Sequence, residues 1–487
     1  MNERDRDLRH LLSRTGFGAP TPGEIDALAQ ADHPQAVRAL LDGVKTTAAS
    51  PDPDWLDTVQ IGAQRGMTVE QAKEFRRQRN MDGTDAKVWW YGEMLATTSP
   101  LTEHLTLFWH NHFTSSMKKV KVPDLLYRQN ALHRANALGN FATLLRAASK
   151  DPAMLVYLDN NENQPDHPNE NFARELLELF TLGEGHGYTE VDIREAARAF
   201  TGWRFRPDTG FLFQPRLHDT GQKTFLARTG NFTGDDILDI ILAQPRVAEY
   251  ITEKLWREFI SDAPDPAEVT RLAAIFRNAK YELRPLLEGL LTTEAFRTPA
   301  NRGALVKSPT DLIVGTYRLI GYTPRDGRTM VLVGRNLGQD LFDPPNVKGW
   351  PGGMAWIDTA TVPQRYEFLN QVVNGLANLS QMPQRRPQNQ AQAQAQQPRQ
   401  AAGAPPPAQA QTIRPAPPGA AGQPPGPAGG NRQLNIAALD ADALRAVATL
   451  PPDQMAQLVL PLPPSTMGGG PGGPLGDLIR DPAFQLK

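Results

Sequence analysis

The chain is predicted to be mainly α: one large helical domain with a small β-hairpin insert and a disordered low-complexity insertion. Three observations carry this. Hydroxyl-led helix starts recur through the first 380 residues, apolar residues follow them at spacings of three and four, and the composition changes abruptly near Met382. At 487 residues, length alone would permit two or three domains or one large one.

The helix starts are Thr21 with Glu24, Thr68 with Gln71, Thr189 with Asp192, Thr233 with Asp236, and Ser308 with Asp311. In each, the hydroxyl can accept from a free backbone N–H, and the residue three along reaches back or favours the helix dipole. Amphipathic spacing then runs through segments such as ILDIILAQPRVAEYITEKLWREFI. WRFRPDTGFLFQP departs from this, alternating around Asp-Thr-Gly as a hairpin does, with KTFLARTGNF a pairing segment nearby. From Met382 to Asn435 the chain holds five arginines, no acid and almost no large apolar residue, so it cannot bury enough surface to offset its ordering entropy. The predicted organisation is therefore a helical domain over 1–381, an insertion over 382–435 and a helical segment over 436–487 that completes the domain. The phrases LLRAASKDPAMLVY, LLEGLLTTEAFRTP and PLGDLIRDPAFQLK share a local helix–turn plan, too weak to be a repeat array.

Composition excludes several classes. Charge is nearly balanced, 51 Lys and Arg against 53 Asp and Glu, so no global field points to nucleic acid or an anionic membrane. With no cysteine there are no disulfides, thiolate metal sites or cysteine nucleophile. No apolar run is long enough to span a bilayer, and the charged start has no apolar signal core, so the expected location is cytoplasmic, with export alongside a partner left open. Neither a phosphate-cradling glycine loop, nor G-x-S-x-G, nor HExxH occurs.

All nine histidines precede residue 219, which places histidine chemistry in the first half. In LTEHLTLFWHNHFTSS, helical geometry turns His110 and His112 about 200° apart, so they cannot share a metal unless the helix breaks at Trp109. His112 then points inward on the Leu105/Phe108 side, and His110 needs only a surface explanation. In DNNENQPDHPNENFARELLELFTLG, Pro168 fits a first helical turn capped by His167 or Asp166, and Glu170 sits where the dipole favours an acid. That helix is expected to bury Phe172, Leu176, Leu179 and Phe180 and to end at Gly183. Its polar side, Glu170, Arg174 and Glu178 with Asn171 and Glu175, is either a salt-bridge ladder or part of a site. Asp159, Asn161, Asn163 and Glu170 have the cadence of a calcium loop, weakened by Gln164 and Pro165 at its turn; capping and turn roles are the alternative. His218 and Asp219 follow the hairpin as a base, a metal-ligand pair or simple loop bracing. In LFDPPNVKGWPGGMAWID, Phe342, Trp350 and Trp356 sit on a rigid loop, free to stack on a sugar or peptide, or to plug the loop into the core.

These segments, from HLLSRTGFGAPTPGEID to LFDPPNVKGWPGGMAWIDTAT, occur in the order seen in a bacterial family catalogued as domain of unknown function 1800, which the chain resembles over about residues 8–375. The resemblance implies a large, mostly helical protein. It also implies a possible partner, because the family's genes often neighbour one for a sulfatase-like protein, many of which carry twin-arginine export signals. It carries over no catalytic residue.

Two functions are expected from these residues. One is a metal-dependent hydrolase whose site combines His110 or His112, His167 and Glu170, Glu175 or Glu178, and His218 with Asp219. Imidazole and carboxylate ligands suit zinc, manganese or iron, and a spare carboxylate would activate water. The other is a non-catalytic binding or assembly protein, in which the polar residues brace the fold and the tryptophan loop meets a glycan or protein partner.

Overall fold

Each of the five hydroxyl-led starts is a helix N-terminus. Thr21, Thr68, Thr189, Thr233 and Ser308 accept from the backbone three residues on, and the paired Glu24, Gln71, Asp192, Asp236 and Asp311 bond back. Asp32 and Gln35 add a sixth such box. Caps of this kind contribute about 1 kcal/mol each. The computed structural model describes residues 3–56, 66–206, 210–380, 436–465 and 469–487. The segment 382–435, expected to be a disordered insertion, lies outside the described residues.

The fold is mainly helical, with short antiparallel strand pairs. Two helices form its centre. Pro100–His112 buries every residue except Pro100 and Asn111, and Pro309–Leu319 buries every residue except Arg318. A helix covered on all sides needs partners all round. Val69–Ala96 packs against both, Glu3–Thr15 and Pro123–Ala135 against Pro100–His112, and Arg328–Asn336 against Pro309–Leu319. The contact between Pro309–Leu319 and the Phe17–Gly18 turn is closer than a side chain permits. A Cβ on Gly315 would lie 1.8 Å from the Phe17 carbonyl oxygen. Gly315→Ala must therefore push helix and turn apart, and we expect a loss of about 3 kcal/mol, the upper end for overpacking, read from chemical denaturation. A stability within 0.5 kcal/mol of wild type would contradict this packing.

The predicted hairpin pairs Trp203–Arg206 with Gly210–Phe213, Trp203 facing Phe213 and Arg206 facing Gly210. KTFLARTGNF folds on itself as a second hairpin, Lys223–Phe225 against Arg228–Gly230. A third pairing joins Tyr322–Pro324 to Ile436–Leu439, so the chain after the low-complexity segment returns to the helical body. Buried cations then fasten it. Arg9 donates to the carbonyls of Leu458 and Val459, Lys307 to that of Phe484, and Arg365 to the Gln485 side chain. The three echoing phrases do share a plan: Phe141–Ser149, Leu283–Leu291 and Gly473–Arg480 are each followed by a short helix capped by Asp151, Thr293 or Asp481.

Candidate functional site

The histidines of FWHNHF face opposite sides, as helical geometry requires, yet both are buried, so His110 is not a surface residue. His110 sits among Trp90, His133, Phe342 and Trp350, neither ring nitrogen has a hydrogen-bond partner among the described residues, and burial pulls its pKa down to about 3. His112 lies against Phe180 and Tyr250, and its Nε2 donates to the Phe180 carbonyl at 3.1 Å. Burial, then the charge of Lys254, pulls it well below the ordinary histidine value. Their opposed directions follow from the pitch of one helix, whereas burial depends on what packs against each side.

Carbonyl stapling is a general use of histidine here. His10 bonds to the Phe296 carbonyl, His33 to Leu291, His104 to Gly16, and His218 to Thr201. Each takes up a carbonyl near a helix end, where backbone acceptors lack intrahelical donors. His167 is exposed. Asp219 is clamped by Arg198 (2.7 and 3.2 Å), whose hydrogen bond, more than burial opposes it, holds the carboxyl below its ordinary value. An ionised carboxylate locked to a guanidinium is poorly suited to accept a proton.

The calcium cadence is occupied by bracing. Asp159 pairs with Lys119 (2.6 Å), the Asn161 oxygen accepts from Phe205 N (2.7 Å) and the Asn163 oxygen from Asn169 N (2.9 Å), while Glu170 bonds Arg174. These oxygens point at separate backbone and side-chain donors rather than at one centre. Asn169 caps the following helix, not His167 or Asp166, because its side chain reaches Asn171 N. The helix Glu170–Glu175 widens into a π-helix over Leu176–Thr181, and Leu177 is buried where Leu179 was expected. A π turn holds an extra residue, which displaces the later side chains around the axis. Glu170, Arg174, Glu178 and Glu190 form the salt-bridge ladder. Glu175 is half-buried; burial first, then the Glu178 charge, raises its pKa. Among the described residues, no three His, Asp or Glu side chains stand together as a metal-ligand group.

The densest convergence of chemistry lies elsewhere. On Pro100–His112, the face carrying His104, Leu107, Phe108 and Asn111 looks into a cavity of about 100 Å³. Glu258 enters from the end of Pro245–Phe259, Asp311 from the start of Pro309–Leu319, and Lys487 from the C-terminal segment. His104 bonds through Nδ1 to the Gly16 carbonyl (2.9 Å) and through Nε2 to Glu258 (2.7 Å). Both partners are acceptors when Glu258 is ionised, so the ring satisfies both only by donating from both nitrogens. Lys487 Nζ lies 2.8 Å from Asp311 and 3.9 Å from Glu258, joining the carboxylates through one ammonium. Burial raises the Glu258 pKa, but the His104 hydrogen bond and the charges of His104 and Lys487 outweigh it and leave the group below its ordinary value. For Asp311, burial is likewise outweighed by Lys487, His104 and the Ser308 backbone N–H. The floor thus carries two carboxylates, both held below their ordinary values, beside the His104 imidazole and the Lys487 ammonium.

Trp350 and Trp356 form part of the wall, so the loop plugs the core and lines the cleft at once. Phe342 does not; it is wholly buried against Trp90 and His110. Asn111 fixes the loop by accepting from Trp350 N at 2.7 Å and donating to its carbonyl at 3.4 Å. Gly349 permits that approach, since its φ is +82° and a Cβ there would lie 2.1 Å from the Asn111 oxygen. Arg257 and Asp262 stand exposed at the mouth.

Sequence reasoning missed Glu258, Asp311 and Lys487 as site residues. Asp311 was legible only as a cap, which it also is. Glu258 had a signal: it follows Val247, Ile251 and Leu255 on the apolar stripe, where a carboxylate is out of place. Lys487 had none. A family model described as Protein of unknown function (DUF1800) matches residues 10–459. No curated protein and no solved structure matches the chain.

Proposed function

The chain belongs to the DUF1800 family, and we infer that it is a binding protein whose cleft takes a hydroxyl-rich, sugar-type residue. One observation carries the reading: Trp350 and Trp356 line the same cavity as the His104–Glu258 and Lys487–Asp311 pairs. Aromatic walls suit the C–H faces of a sugar, and fixed charged acceptors and donors suit its hydroxyls. The remaining polar residues of the sequence motifs supply bracing, in keeping with a binding role.

The metal-dependent hydrolase reading has less support. It needs ligands converging within about 2 Å of one ion, and His110, His112, Glu175 and Asp219 have other neighbours in the fold. Glu258 and Asp311, both held ionised, do not supply the protonated acid that glycosidic cleavage requires. A sulfatase-like protein remains the partner to test by co-purification.

The decisive experiment screens the full chain on a glycan array and measures the strongest hit by calorimetry. A saturable interaction is expected, and Trp356→Ala should weaken it by about tenfold or more, the equivalent of 1.4 kcal/mol. Absence of any glycan binding, or an unchanged affinity in that variant, overturns the reading. Chelator-sensitive turnover of the bound sugar would restore the hydrolase.

A further inference from the structure

The helix Pro245–Phe259 carries a lysine one turn before the cleft residues Arg257 and Glu258. Lys254 follows Tyr250 by four residues and Ile251 by three, which sets it at the edge of the buried stripe. Its Nζ lies 5.6 Å from the centre of the Tyr250 ring. Among the described residues, Lys254 makes no hydrogen bond or ion pair. The two acids nearest it along the helix are turned elsewhere. Glu253 faces Arg246 and Arg257, and Glu258 bonds His104 at 2.7 Å.

Other lysines are spent differently. Lys87 and Lys487 face Asp340 and Asp311, whereas Lys223 and Lys307 are enclosed and donate to carbonyls. Lys73 and Lys280 stand in solvent. Lys254 is only partly buried and its unpartnered Nζ is not enclosed, so a small reagent can reach the amine.

Two forces push the proton off this amine. Burial disfavours the ammonium, and the Arg257 guanidinium one turn on adds a like charge, which brings the group down to about 8. At pH 7.5 about a quarter of the amine is then neutral, against about one part in a thousand for a lysine at 10.5. The neutral, partly desolvated amine is the nucleophilic form. The ring beside it selects the electrophile. The face of Tyr250 is electron-rich, so the oxygen of a carbamate or of an acyl group sits badly over it. An imine offers C–H bonds instead, and its protonated form keeps a cation over the ring.

We propose that Lys254 is a covalent site for small aldehydes. Nζ adds to the carbonyl carbon, both amine hydrogens leave with the carbonyl oxygen as water, and a C=N bond replaces C=O. Propanal is the probe, added to the full chain at pH 7.5 with cyanoborohydride, which reduces the imine to a stable secondary amine. Peptide mass spectrometry then reads the alkylation of each lysine against time. Lys254 is expected to react about tenfold faster than Lys73 and Lys280, although they are more exposed. Arg257→Gln removes the like charge and should slow Lys254 several-fold while leaving Lys73 and Lys280 unchanged. Circular dichroism checks that the variant is folded. A Lys254 rate no higher than that of the exposed lysines overturns the proposal, as does an unchanged Lys254 rate in folded Arg257→Gln.

Discussion

Glu103→Ala is expected to destabilise the protein by about 3–5 kcal/mol, the cost of leaving one partner of a buried ion pair alone. Glu103 is completely buried in the central helix, and Arg134 nearly so. The guanidinium donates to both carboxylate oxygens, at 2.6 and 2.8 Å, and Trp90 Nε1 donates to one of them at 2.9 Å. Removing the carboxylate leaves a cation and an indole N–H without acceptors in the interior, where water cannot replace them. The same physics predicts that Glu103→Leu combined with Arg134→Met costs far less than Glu103→Ala alone, because no charge remains to be solvated. Urea unfolding followed by tryptophan fluorescence compares the two. A single variant within about 1 kcal/mol of wild type, or a double variant less stable than the single, contradicts this account.

The second large effect concerns pH. Asp151 caps the short helix Pro152–Tyr157 from a fully enclosed position, accepting from Met154 N at 3.0 Å and from Gln129 Nε2 at 2.8 Å. Burial raises its carboxyl to about 7, and the hydrogen bonds from Met154, Gln129 and Ala153 only moderate the rise. A carboxyl whose folded pKa lies above its unfolded value near 3.8 binds more protons in the folded state. Its contribution is therefore fully present below pH 3.8, declines as pH rises, and is lost above about pH 7. Asn can keep the cap and the oxygen acceptor without ionising. We expect Asp151→Asn to match wild type near pH 5 and to be more stable at pH 8.5 by about 2 kcal/mol, with a ceiling of about 4 from the size of the shift. Denaturation curves of the two proteins across this range supply the test. Stability profiles that run parallel from pH 5 to 8.5 would show that Asp151 is ionised throughout.

How far the sequence reached depended on the range of the interaction. Both members of a capping box lie within four residues, so Thr189 with Asp192 or Ser308 with Asp311 can be read directly. The Trp203–Phe213 hairpin is likewise local. One step beyond that range, local pattern no longer decides. Leu177 replaced Leu179 in the core because the helix adopts a π turn that no i, i+3, i+4 pattern announces. Asn169 displaced His167 as a cap because the preceding loop is tied down by Asn163, whose side-chain amide bonds to Ala197.

The amino-acid sequence by itself determined the fold class, the helix starts, the hairpin and the opposed directions of His110 and His112. Each follows from backbone hydrogen bonding or helical pitch among near neighbours. Only the tertiary structure decided that both histidines are buried and that the acids and amides of DNNENQPDHPNEN brace the chain. It alone drew His104, Glu258, Asp311, Trp350, Trp356 and Lys487 to one cleft. Those six come from five separate segments, and the long-range packing of helices that unites them has no period in the sequence for a reader to find.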